Sequence, residues 1–243
     1  MYATWLGQAG MLFETDSGLR IMVDPYLSNS LEEERGSSMR RLTPIDERFL
    51  HLPIDVLVLT HEHADHTDLV TLQQLLCQEK PIDVLASYAA WEKVRNRFDT
   101  RHNYIMFNTG TEWTHGNVTL RATAAVHNDF HAVGLAFEAD GLSVYVTGDT
   151  LYDRRLIENM AGRTIDCFFP VINGKGNNMN PTDAARMTRQ LAPKTAYPLH
   201  WDTFQSFSTD PAEYTDRLAD SGIQAIIMKQ YQPFLLEKRG RRL

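Results

Sequence analysis

Only two of the 243 residues are cysteine, Cys77 and Cys167. That is too few for a disulfide framework, and each lies in an apolar stretch that suits a reduced core thiol. Positive charge is also scarce: 24 lysines and arginines face 31 aspartates and glutamates, for a formal net charge of −7. Binding along a phosphate backbone calls for a basic face, so no nucleic-acid partner is expected. The one basic cluster, Lys238, Arg239, Arg241 and Arg242, reads as a solvated tail. No apolar run approaches the roughly 18–20 residues that span a bilayer. The opening stretch, residues 1–10, lacks a charged segment followed by an apolar one, so neither a membrane partner nor export is expected. The expectation is a soluble, cytoplasmic protein. Repeats, low-complexity tracts and linkers are missing too, which predicts one domain over residues 1–243.

What is present is enough apolar surface for a sizeable core, with 43% hydrophobic and 10% aromatic residues. Short apolar runs at 2–6, 11–14 and 19–23 predict strands, with Ser17-Gly18 as a turn and Asp24-Pro25 as a stop. Residues 26–53 are polar and irregular, a long connection that is either functional or a plain surface excursion. After it, the uninterrupted run 56–59 predicts a strand buried on both faces. A helix at 68–78, a strand at 84–86 and a helix at 88–98 follow from apolar spacing. Strands are predicted at 118–126 and 132–139, and Asp140-Gly141 supplies a hairpin turn into 142–146. A helix at 152–160 and a strand at 166–172 come next. Asn180-Pro181 caps and starts a helix through 191. The chain closes with strands at 195–199, 224–228 and 234–236 around a helix from Asp210-Pro211 to 219. Hairpins followed by helix–strand units occur twice, which predicts two mixed sheets packed together with helices outside: an α/β (α+β) four-layer αββα sandwich.

Chemistry concentrates at residues 60–66, T-H-E-H-A-D-H, directly after the buried run 56–59. Imidazole nitrogen and carboxylate oxygen are ligands for zinc, manganese or iron. A loop at the carboxyl end of a strand can aim His61, His63, Asp65 and His66 into one crevice. A polar loop with capping histidines is the bland alternative, and four such groups in six positions count against it. His127, Asp149 and His200 each end a further predicted strand, where open α/β sheets hold their ligands. Each alone reads as structural; their shared placement points to one site.

These residues resemble the metallo-β-lactamase superfamily, with its H-x-H-x-D-H motif, a later His, a bridging Asp and a C-terminal His. The resemblance extends over nearly the whole chain. Its L-ascorbate-6-phosphate lactonase-like branch is the most similar, through W-L-G-Q-A-G at 5–10, D-P-Y-L-S at 24–28, G-D-T at 148–150, P-V-I-N-G at 170–174 and H-W-D at 200–202. The resemblance implies one ion on His61, His63 and His127, a second on Asp65, His66 and His200, and Asp149 bridging. It implies one or two divalent ions, manganese or zinc, with iron compatible as well.

On that footing the expected activity is hydrolysis of a lactone or ester of a small molecule, a phosphorylated sugar among the candidates. A metal-activated water would attack, and Asp65, the candidate catalytic residue, would orient that water and shuttle its proton. Lys175, flanked by glycines, and Asn173 beside it are the first candidates for substrate contacts. Arg40 and Arg41 come second and read better as solvated surface charges. Gln8, Tyr26 and Ser28 are implied as pocket residues by the resemblance. Asp129 is a candidate to orient a metal-bound histidine, His131 reads as structural, and Glu62 is not expected to act as a base. A phosphodiesterase of the same fold is the rival enzyme. A non-catalytic metal-binding or sensory protein is the rival of another class, and the intact ligand set argues against it. A homo-oligomer stays open.

Overall fold

In the computed structural model, residues 1–237 are described. The basic cluster Lys238, Arg239, Arg241 and Arg242 lies outside them. The described residues form fourteen strands in chain order. These are β1 (Tyr2–Gly7), β2 (Gly10–Glu14), β3 (Arg20–Val23), β4 (Val56–Leu59), β5 (Asp83–Ala86), β6 (Asn103–Met106), β7 (Glu112–His115), β8 (Val118–Ala124), β9 (Val133–Ala139), β10 (Leu142–Val146), β11 (Cys167–Phe169), β12 (Thr195–Ala196), β13 (Gln224–Ala225) and β14 (Pro233–Leu235). The helices are α1 (Ser30–Arg35), α2 (Leu69–Leu75), α3 (Tyr88–Val94), α4 (Arg154–Asn159), α5 (Pro181–Leu191) and α6 (Ala212–Asp216).

Seven strands make each sheet, in the orders β14-β1-β2-β3-β4-β5-β6 and β13-β12-β11-β10-β9-β8-β7. Each sheet begins with antiparallel hairpins and continues as parallel strands, β3 to β6 in one and β10 to β13 in the other. Alternation decides which side chains face inward. Trp5, Met11, Phe13, Val56, Val58, Leu135, Phe137, Val144 and Phe169 from both sheets meet in one central cluster. Leu57, Leu59 and Val84 turn outward beneath α2 and α3, and Tyr145 and Phe168 beneath α4 to α6. Phe13 fixes the two sheets together, with edge contacts to Phe137 and Phe169 at 5.2 and 5.4 Å. This is the αββα sandwich expected from the sequence, and no described helix is long and apolar enough to cross a membrane.

Local chemistry explains most boundaries. Asp68 caps α2 by accepting from Val70 and Thr71 N–H, and Asn180 accepts from Asp183 N–H ahead of Pro181. The Asp140-Gly141 turn has both residues at positive φ, 53° and 73°, the geometry of a two-residue hairpin. Several elements are shorter than the sequence suggests, because α2, α3 and α6 end after two turns or fewer. Two strands, β6 and β7, went unforeseen: they are half exposed at sheet edges, and β6 offers only the short apolar run 104–106.

Two expectations need correction. Cys167 is buried, but Cys77 is exposed just past α2, with its thiol donating to Gln74 O. Arg41 is not a solvated charge. It is 9% exposed, donates to Tyr26 O and Tyr231 Oη at 2.7 and 3.0 Å, and lies over the Tyr26 ring. Its guanidinium pins the long 26–53 connection to the rest of the molecule. Arg40 is exposed and pairs with Glu32, as a surface charge does.

Candidate metal centre

The carboxyl ends of the parallel strands converge at one edge of the sandwich. Asp24 follows β3, the residues 60–66 follow β4, Gly148-Asp149 follow β10 and His200 lies beyond β12. Among the described residues three trios of donor atoms, each within 4.8 Å of one another, result: His61, His63 and His127; Asp65, His66 and His200; and Asp24, His61 and His66, which overlaps the other two. In the first, His63 Nδ1 lies 2.9 Å from His61 Nε2 and 3.2 Å from His127 Nε2. In the second, Asp149 Oδ2 sits 3.4 Å from both His66 Nε2 and His200 Nε2, and Asp65 Oδ2 lies 3.7 and 3.5 Å from the same two nitrogens. Four ligands about 2.1 Å from a tetrahedral ion stand about 3.4 Å apart. The spacing therefore matches a shared central ion better than a set of direct hydrogen bonds.

Buried atoms without partners point the same way. His66 Nε2 and Asp149 Oδ1 are enclosed and have no hydrogen bond, an arrangement that normally costs free energy. Three of the rings are engaged on their far sides, whereas His200 Nδ1 is buried without a partner. His66 Nδ1–H donates to Asp24 Oδ2 at 2.8 Å, and His127 Nδ1–H donates to Asn177 O at 3.3 Å. His61 Nδ1 contacts Thr60 Oγ1 at 3.1 Å, whose own hydroxyl donates to Asp24 Oδ2. Asp24 thus fixes ring orientation in both trios, leaving each Nε2 turned inward. Asn178 Nδ2 donates to Asp149 Oδ2, and Gln8 Nε2 donates to Asp65 Oδ2.

Electrostatics divides the two trios. Burial pushes His61 well below the ordinary imidazole range, with the nearby His66 adding to the effect, and burial lowers His127 as well. Both are neutral bases, as ligands must be. Burial also opposes charge on His66 and His200, yet Asp149 and Asp65 prevail, holding His66 well above its usual range and pushing His200 up to about 9. Burial likewise disfavours the two carboxylates' charge, and the imidazoles overcome it, so both stay below the carboxylate range. Two imidazolium protons facing two carboxylates are what one divalent cation replaces.

Backbone strain is concentrated here. Gln8, Asp24 and His200 have φ of 50°, 41° and 64°, a region non-glycine residues enter at a cost of about 1–3 kcal/mol each. His200 is held there by donating its N–H to Gln8 O at 3.0 Å, and Gln8 N–H donates to Thr203 Oγ1 at 2.5 Å. Gly148, at φ 60°, packs against the Val133 carbonyl so closely that no Cβ fits.

A cavity of about 230 Å³ opens onto His63, Asp65, Asp149 and His200. Lys175 and Asn178 line it, as do Arg35 and Leu31 from α1, Met39 and Phe207. All seven sequence-predicted ligands are brought together, and Lys175 is beside them. Asn173 is buried with both amide atoms unpartnered and is not among the residues lining the cavity. Tyr26 and Ser28 do not line it either; Tyr26 Oη accepts from Leu31 N–H. Asp129 orients no histidine ring: it accepts from the backbone N–H of Glu62 and His131. His131 packs against Tyr88, and Glu62 pairs with Lys93. Sequence reasoning missed Asp24's role, Asn178 and Arg35. Asp24 sits in a strand-ending Asp-Pro that reads as a turn, and Arg35 in an acidic helix that reads as surface.

Comparison with known proteins gives the family. A family model described as "Beta-lactamase superfamily domain" matches residues 19–201. The chain is 28% identical over 231 residues to a UPF0173 metal-dependent hydrolase of Anoxybacillus flavithermus, covering 91% of this chain and 95% of the relative. It is 25% identical over 233 residues to one of Metallosphaera sedula, covering 94% and 96%. Its fold is similar to that of Igni18, a metallo hydrolase from Ignicoccus hospitalis, with a TM-score of 0.79 at 20% identity, covering 98% of this chain and 99% of that one.

Proposed function

We propose that this chain, which belongs to the metallo-β-lactamase superfamily, is a metal-dependent hydrolase that opens a lactone or ester of a small molecule, with residues 1–243 acting as one domain. The observation that carries the reading is the two donor trios at the floor of one cavity, with Asp149 facing His66 and His200. His61, His63 and His127 would hold one divalent ion; Asp65, His66 and His200 would hold another; Asp149 would reach both. Such ions supply Lewis acidity and a water whose pKa lies near neutrality. The all-nitrogen and oxygen donor set suits zinc, manganese or iron.

The chain's own residues supply the rest. Asp65, fixed by the Gln8 amide at 2.7 Å, orients the attacking water and carries its proton to the leaving oxygen. Asp24 keeps the rings of His61 and His66 aimed at the centre. Lys175, which lines the cavity, attracts an anionic substituent of the substrate.

Metal analysis of the protein purified without added metal, followed by a hydrolysis screen over lactones, aryl esters and phosphodiesters, tests the proposal. One to two ions per chain, lost with activity in Asp149→Ala and His66→Ala, is the expected result. Full turnover in both variants, or turnover of phosphodiesters alone, rejects it.

A further inference from the structure

The cavity above the donor trios has a chemically mixed lining. Arg35 and Lys175 line it together with polar groups of the trios. Leu31, Met39 and Phe207 line it as well: Leu31 and Met39 are buried, Phe207 is partly buried, and with Tyr26 and Phe204 they form one small apolar cluster. A polyol seated there would leave hydroxyls facing side chains that cannot hydrogen-bond, at a cost for each. An alkyl or aryl body gains by the same contact, about 25 cal/mol per Å² removed from water. At about 230 Å³ the space falls below the roughly 300–1,000 Å³ of drug-sized pockets, so the occupant is small.

The two lining cations are available. Among the described residues Lys175 has no carboxylate within ion-pair distance, and its ammonium donates only to Ser206 O at 2.5 Å. Arg35 meets Glu34 at 3.5 Å with both side chains more than half exposed, a pairing worth little. In a chain of net charge −7, two such cations beside one opening are an anion-attracting feature.

We infer that the substrate is a small acyl compound with an apolar body and one anionic group, the body lying on Leu31, Met39 and Phe207 and the anion between Arg35 and Lys175. This rests on the hydrolase reading above and narrows it away from a sugar body. In the reaction the acyl carbon–oxygen bond of the ester breaks and one from water forms. One water proton leaves with the alcohol, and the other is released from the new carboxylic acid.

Three substrates test this on the metal-loaded enzyme: 4-nitrophenyl pentanoate, the mono-4-nitrophenyl ester of glutaric acid, and 6-phosphogluconolactone. Wild-type kcat/KM for the glutarate ester should exceed that for the pentanoate at least tenfold and exceed that for the sugar lactone. The glutarate-to-pentanoate ratio should fall toward one in Arg35→Gln and Lys175→Gln. A ratio that survives both substitutions, or preference for the sugar lactone, overturns the inference. Calorimetric binding of 3-phenylpropionate to the same proteins separates it from the hydrolase reading. Affinity at least tenfold weaker in the two variants supports the anion site even where no ester is cleaved, an outcome that would reject the hydrolase reading alone. Affinity indifferent to both substitutions rejects the site.

Discussion

Asp24 Oδ2 stands 2.8 Å from His66 Nδ1, although 42 residues separate the two in the chain. The same carboxylate accepts the Thr60 hydroxyl that faces His61, so one buried acid orients a histidine of each donor trio. A group of this kind sets which ring nitrogen is free and how basic it is. Asp24→Ala should therefore weaken divalent-metal binding by about 10–100-fold, the usual effect of removing such a partner. Competition with a chromophoric chelator measures it. Because Thr60 N–H also loses its acceptor, far-UV circular dichroism of the variant should be recorded alongside. Unchanged affinity in a folded variant would contradict the assigned role.

Asn178 acts on Asp149 alone. Its amide donates to Oδ2 at 2.8 Å, the oxygen that also faces His66 and His200. Asn178→Ala should loosen the Asp65–His66–His200 position by about tenfold and leave the His61–His63–His127 position nearly intact. At limiting metal, the ions retained through gel filtration should drop from two toward one per chain, read by elemental analysis. An equal loss at both positions would mean that Asn178 supports the cavity as a whole.

The sandwich and the metal-ligand candidates were legible because periodicity and residue type both carry their signal. The run 56–59 reads as a strand buried on both faces, and T-H-E-H-A-D-H directly after it places donors at a strand end. Asn180-Pro181 marks α5 by cap chemistry. The features that escaped depend on tertiary placement. β6 and β7 lie at sheet edges, where the strands are short and only partly buried. Arg41 and Cys77 exchange their expected environments because the fold buries Arg41 within the otherwise largely exposed 26–53 connection and leaves the end of α2 open. Asp24 looks like a turn residue until β3 and β4 are paired in register, Val23 against Val58; only then does it face His66.

Packing gives a prediction independent of metal. Gly134 in β9 has no room for a side chain: a Cβ would lie 2.5 Å from Thr123 Oγ1, 2.7 Å from Thr147 O and 2.8 Å from Val146 O. Two of these are backbone atoms of the segment leading to Asp149, which cannot rotate away. Gly134→Ala should destabilise the metal-free protein by about 1–3 kcal/mol, the range for overpacking. At about 2–4 °C per kcal/mol for a chain of this size, calorimetry should show a Tm several degrees lower. An unchanged Tm would mean that β9 and β10 separate without cost.

The two thiols should differ in reactivity. Burial pushes Cys167 up to about 12, with the Asp166 carboxylate adding to the effect. A raised pKa keeps the proton on sulfur, so at pH 8 only about one Cys167 in ten thousand is thiolate. β11 encloses it as well, pairing with β10 on one side and β12 on the other. Cys77 is exposed beyond α2. A disulfide dye should therefore label one thiol per native chain at pH 8 and two in denaturant, and Cys77→Ser should abolish the native signal. Raising the pH to 9 should leave the native stoichiometry at one, because that is still far below the Cys167 value. Two native thiols reacting at similar rates would show that β11 opens readily. Such an opening would loosen the strand that leads to Lys175 and the rim of the cavity, so labelling also reports how rigidly the site is held.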